Sequence, residues 1–154
     1  MFIAGVLLNE KDISKLKELG VKDSKLLLHK KRIELSKEIK KLAKKYKIIQ
    51  VKPEEIDKAV SKEDGLNLNW LEAHKTAEII NELKPDKAIL DCPSNNIKAY
   101  TNYIRNLLSE KGKQIEIICE HKADVNHIEV AAASILAKVT RDRFIEDTKK
   151  KIKI

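Results

Sequence analysis

The chain has 154 residues, 42% of them apolar, and 32 lysines and arginines against 24 aspartates and glutamates give a formal net charge of +8. That length fits one domain with a core of Ile, Leu, Val and Ala, since only one Trp, three Tyr and two Phe are present. The positive balance favours a polyanionic partner without naming it. The two cysteines, Cys92 and Cys119, lack CxxC spacing, which argues against a zinc ribbon or a thioredoxin-type motif and suits a reducing compartment.

Phe2 to Leu8 is an apolar run too short for a helix and reads as a strand buried on both faces. It has no basic segment before it and no small-residue cleavage site after it, so neither a signal peptide nor a membrane span is expected, and the location is expected to be cytoplasmic. Asp12 to Leu19 forms a short helix ended by Gly20. Asp23 or Ser24 opens a turn into a long basic helix through Tyr46, with Ile33, Ile39, Leu42 and Tyr46 inward at a 3.6-residue period. Lys30, Lys31, Lys37, Lys41, Lys44 and Lys45 then face outward. Ile48 to Val51 is a second strand, and Pro53 starts a helix to Val60, with Glu54 and Glu55 complementing its dipole. Asn67 or Asn69 caps a helix through Leu83 that turns Leu71, Ala77, Ile80 and Leu83 inward. Ala88 to Leu90 is a third strand ending at Asp91 and stopped by Pro93. Ser94 to Asn96 caps a helix through Glu110, closed by Gly112. Gln114 to Cys119 is a fourth strand, a loop from His121 to Asp124 follows, and the last helix runs from His127 to Lys149. Strands alternating with helices predict an α/β layer structure without internal repeats.

Two acidic residues stand out. If the strands that lead to Asp91 and Asp124 lie side by side and parallel, joined by a right-handed crossover, both carboxylates emerge on one sheet edge, where open α/β sheets bind ligands. Carboxylates held together repel unless a proton or cation lies between them, and hard oxygen donors suit Mg²⁺ or Mn²⁺. The plainer alternative is that each caps the loop that follows it.

Gly20-Val21-Lys22-Asp23-Ser24-Lys25 before a basic helix, a strand ending in Asp91, and Lys122-Ala123-Asp124 before Ala132-Ala133-Ser134-Ile135-Leu136-Ala137-Lys138-Val139-Thr140-Arg141-Asp142 occur in the order seen in archaeal-type ribonucleases HII. The chain resembles that family over nearly its whole length. The resemblance implies a ribonuclease H-like mixed sheet flanked by helices, and endonucleolytic cleavage of the RNA strand of RNA–DNA hybrids and at ribonucleotides in duplex DNA. It implies four carboxylates holding two divalent cations, Mg²⁺ or Mn²⁺, with Asp91 and Asp124 as the third and fourth. Lys25, Ser134 and Lys138 become candidate contacts to the nucleic-acid backbone.

The same resemblance implies departures. The family places a strand ending in Asp-Glu and a Gly-Arg-Gly loop before the segment that here begins at Met1, and a Gly-Tyr-Pro segment and further helices beyond the last helix. The expectation is therefore a single, incomplete domain lacking the usual first, central strand, which pairs with Phe2 to Leu8 on one side and Ala88 to Asp91 on the other. Activity of this chain alone is expected to be impaired. No obligate protein partner is expected, although an exposed sheet edge would favour self-association.

Local alternatives remain beside these roles. Asp23 and Ser24 serve equally as turn and cap, the lysine row as a solvated face or a hybrid-binding surface, and Ser134 and Lys138, four apart, as helix contacts. Arg141 and Asp142 read as surface or helix-end ion pairs, Trp70 as core. His121 and His127 flank Asp124, but hard cations prefer oxygen. The rival to the enzyme is a non-catalytic nucleic-acid-binding remnant, or a fragment that works only after complementation.

Overall fold

The computed structural model describes residues 1–22, 27–61 and 67–152. The first strand, β1 (Phe2–Leu7), is followed by helix α1 (Glu10–Glu18), which Asn9 opens as a capping box: the Asp12 carboxylate accepts from the Asn9 amide at 3.3 Å. Gly20 takes the left-handed backbone, φ 83°, that ends the segment. Helix α2 (His29–Leu42) buries Leu35, Ser36 and Ile39 and leaves Lys30, Lys31, Lys37 and Lys41 exposed. Asp23 and Ser24, expected to open it, lie outside the described residues.

Helix α2 does not reach Tyr46. Ala43 turns extended, and Lys45–Gln50 form β2, antiparallel to β1 in a register running from Leu7↔Lys45 to Phe2↔Gln50. Pairing with β1 satisfies this segment's backbone groups at long range, which overrides the helical period that Ile39, Leu42 and Tyr46 share. Tyr46 is 44% exposed.

Helix α3 (Pro53–Ser61) leads to α4 (Leu68–Leu83), whose cap is Asn67: its Oδ1 accepts from the Trp70 amide at 2.9 Å. Leu71, Ala77, Ile80 and Leu83 are all buried, as the periodicity predicts. Strand β3 (Lys87–Asp91), helix α5 (Ile97–Leu107), a 3₁₀ turn over Gly112–Gln114 and strand β4 (Glu116–Glu120) follow. Helix α5 stops short of Glu110 because Asn81 of α4 intercepts its end, donating to the Leu107 carbonyl at 3.2 Å and accepting from the Ser109 amide at 2.9 Å. The chain then forms a single turn, α6 (Ala123–Asn126), where only a loop was expected, and ends in α7 (Ile128–Ile152).

Alternation along β1 divides its side chains between two helices. Ala4, Val6 and Leu8 pack on the core that Leu16, Ile39, Ala131, Ala132, Ile135 and Leu136 form against α7. Ile3 packs beside Leu71, and Gly5 faces Ile79 and Leu83, all on α4. The opposite face of α4 builds a second core, with Ala73, Ala77 and Ile80 against Ala88, Tyr100 and Ile104. Trp70 belongs to this packing, stacked on Tyr103 with ring centroids 4.3 Å apart.

Strands β3 and β4 are parallel, registered from Lys87↔Glu116 to Asp91↔Glu120. Among the described residues no ladder joins this pair to β1–β2. Ile3 lies near the start of α4 and Gly5 near its end, so β1 runs with α4, whereas β3 returns against it; β1 and β3 are therefore antiparallel to each other. Between them is a cavity of about 830 Å³, bordered by both strands and covered by α4 and α7. Both faces of β1 are packed, on α7 and on α4, but all six residues are only half-buried; among the described residues no strand pairs with the edge turned toward β3.

Candidate active site

Asp91 is delivered by an apolar strand. Ala88 and Leu90 anchor β3 among the second core's side chains, and Asp91 follows at the strand's exposed end. Parallel pairing puts the end of β4 on the same edge, and the ladder is extended by the Cys92 amide donating to the Glu120 carbonyl at 2.9 Å. Lys122 then takes a left-handed conformation (φ 54°, ψ 41°), which reverses the chain into α6. Buried Ala123 seats that turn, and Asp124 stands half-buried in its first positions.

Asp91, Asp124 and Ser134 all border the cavity between the half-sheets. The two carboxylates and the start of the last helix thus border one cavity. Lys138 lies one helical turn beyond Ser134 on α7. Lys25 lies outside the described residues. The two histidines beside Asp124 are engaged elsewhere: His127 Nε2 lies 2.6 Å from Glu120 Oε1, and His121 Nδ1 lies 3.1 Å from the Cys92 carbonyl oxygen. Asp142 is ion-paired with Arg141 at 3.1 Å and with His29 at 3.4 Å, as befits a helix-surface position.

One acidic neighbour escaped the sequence reading. Glu72 of α4 also borders the cavity; burial, and then the negative charge of Asp91, raises its carboxyl above the ordinary glutamate value. The signal was present: Glu72, Thr76, Ile79 and Leu83 fall at i, i+4, i+7 and i+11, so an acid sits on an otherwise inward stripe. The cysteines offer no nucleophile. Cys92 is buried with its thiol donating to the Ser94 carbonyl at 3.3 Å, and burial pushes the Cys119 thiol up to about 12.

The donor set suits a hard divalent cation, because Asp91 and Asp124 present carboxylate oxygens to one cavity and no thiolate competes. Among the described residues, no group of three or more His, Cys, Asp or Glu side chains is close enough to hold a metal ion. Asp91 and Asp124 are thus the two carboxylates at this cavity that would hold such a cation.

Solved structures of known proteins share this fold and place the protein in the ribonuclease H-like α/β class. A chain from the PCNA:RNase HII complex of Archaeoglobus fulgidus superposes with a TM-score of 0.84 at 35% identity, covering 97% of this chain and 68% of that one. Ribonuclease H2 of Pyrococcus horikoshii OT3 gives 0.83 at 34% identity, covering 98% and 77%. The chain belongs to the ribonuclease HII family, whose model matches residues 1–154. Ribonuclease HII of Thermococcus sibiricus is 44% identical over 151 residues, covering 97% of this chain and 64% of the relative. Across eight of the curated relatives it matches, the chain spans between 62% and 70% of their length.

Proposed function

We propose that this chain is an endonuclease for the RNA strand of RNA–DNA hybrids, and for ribonucleotides within duplex DNA, working by two-metal phosphodiester hydrolysis in the cytoplasm. The observation that carries the reading is the meeting of Asp91, Asp124 and Ser134 at one cavity in a member of the ribonuclease HII family. Asp91 and Asp124 hold Mg²⁺ or Mn²⁺. Bound there, such cations supply an activated water and stabilise the leaving oxygen. The protein's own share is placement: Asp91 at the end of a paired strand, and Asp124 in a turn fixed by a buried alanine. On this reading Ser134 donates its hydroxyl to a phosphate oxygen, and Lys138 and Lys25 bring positive charge to the same backbone. A protein partner belongs to the same proposal, since the Archaeoglobus fulgidus protein forms a PCNA:RNase HII complex.

A second reading is favoured by one observation: among the described residues, no group of three or more His, Cys, Asp or Glu side chains is placed to hold one metal ion. It makes the chain a nucleic-acid-binding protein without catalysis of its own, or one that needs complementation. Asp124→Asn separates the two. On the enzyme reading, cleavage of a labelled hybrid with Mg²⁺ or Mn²⁺ falls by about three orders of magnitude, while hybrid binding in chelator stays within twofold. If the unaltered chain binds the hybrid and cleaves nothing, the second reading stands.

A further inference from the structure

The segment from Glu120 to His127 carries Asp124 between two histidines, and neither histidine faces outward unengaged. Glu120 closes β4; His127 is the residue immediately before α7, and the Ala131 amide donates to its carbonyl at 3.1 Å. Their side chains meet at 2.6 Å, with His127 Nε2–H donating to the carboxylate. The pair is three-quarters buried on the histidine side. It thus bridges the strand before the Asp124 turn to the helix after it. At the other end of the segment, His121 Nδ1–H donates to the Cys92 carbonyl at 3.1 Å and ties the turn to the residue that follows Asp91. Within the turn, the Val125 amide donates to Lys122 at 3.0 Å and the His127 amide to Ala123 at 2.8 Å. A left-handed residue such as Lys122 costs energy at its position, so a turn that contains it persists when its surroundings hold it there.

We propose that Glu120 and His127 are positioning residues that fix the Asp124 turn against Asp91 for cation binding, with His121 as the second tie. The inference rests on the reading that Asp91 and Asp124 hold a divalent ion. It assigns the two histidines a supporting role: their nitrogens are used to orient a ligand-bearing turn rather than to ligate. Outer contacts of this kind set ligand geometry, and their loss typically weakens metal affinity by about tenfold or more.

The test uses the full chain with His127→Asn, His127→Gln, Glu120→Ala, the double variant Glu120→Ala/His127→Asn, and Asp124→Asn. The glutamine amide nitrogen reaches the place of Nε2, whereas that of asparagine sits where Nδ1 was, so only glutamine can restore the bond. Two quantities are read: amide exchange at Val125 and His127 in metal-free protein by NMR, and Mn²⁺ affinity by electron paramagnetic resonance of the free ion. His127→Asn and Glu120→Ala each speed exchange at the two amides by about tenfold and weaken Mn²⁺ by about tenfold. The double variant is no worse than either single one, because the two residues act as one contact. His127→Gln returns both quantities to within twofold of the unaltered chain.

Exchange that His127→Asn and Glu120→Ala leave unchanged overturns the proposal whatever the metal does. So does Mn²⁺ affinity that falls with Asp124→Asn but holds with both pair variants, and in that case the cation reading survives. Affinity that Asp124→Asn itself leaves untouched overturns the cation reading, and the positioning role goes with it.

Discussion

Glu72 and Glu55 show how position decides the sign of a carboxylate's effect. Glu55 is held below the ordinary glutamate value, first by the Lys75 ammonium at 3.0 Å and next by the Lys52 amide at 3.0 Å. Its contribution is present above the unfolded value and is lost as pH falls through the lowered one. Glu72 is the reverse case, raised by burial and then by Asp91. The unfolded chain ionises before the folded one, so stability is full below the ordinary glutamate range and is lost as pH rises through the raised value. Glu72→Gln should therefore raise the thermal midpoint at pH 7, with the gain shrinking to nothing on acidification below that range. Calorimetry across pH checks it, and a gain independent of pH would contradict the assignment. At this scale the placement of Asp91 was legible because an apolar strand runs straight into it, and that of Asp124 because it follows the next strand after a short turn. Glu120 and His127 were not, since their contact depends on the turn between them, and no period in the sequence connects a strand end to a helix start.

Among the elements, the ends and close approaches are where local sequence lost to tertiary structure. Helix α5 looked longer because nothing in its own residues stops it; Asn81, some thirty residues earlier, does. Helix α4 ends on Lys84 in the left-handed region, φ 51°, ahead of Pro85. That position favours glycine, so Lys84→Gly should stabilise the chain by about 1 kcal/mol in chemical denaturation. The β1–α4 contact sets an opposite demand. A Cβ added at Gly5 would overlap Ile79 Cγ2 and meet Leu83 Cδ1 at 3.3 Å. Gly5→Ala should therefore cost about 1–3 kcal/mol, and less in an Ile79→Ala background because the two sites share the clash. A double-mutant cycle by urea unfolding measures the difference.

For the molecule as a whole, charge and topology pull toward different consequences. The net charge of +8 and the exposed lysines of α2 act at long range, so hybrid binding should be governed by counterion release. With about six phosphates neutralised, affinity should fall by about a thousandfold between roughly 50 and 200 mM salt. Titration of a labelled hybrid at several salt concentrations tests this, and a flat response would remove the basic face from the binding surface. The α/β class and the parallel pairing of the two acid-ending strands were readable from alternation and apolar runs. The size and enclosure of the opening between the half-sheets were not, because both are set by how α4 and α7 pack over two strands that never touch.

That opening bears on how the protein behaves in a crowded solution. Among the described residues the unpaired edges of β1 and β3 face each other between α4 and α7, so the main-chain groups most able to recruit a stranger's strand are turned inward. The edges turned outward are those of β2 and β4, short strands studded with Lys45, Lys47, Glu116 and Glu120. Charge on a short outer strand discourages fibre-like growth. Among the described residues the outer rims are thus guarded by charge, and the facing edges of β1 and β3 border the cavity that also bears Asp91 and Asp124.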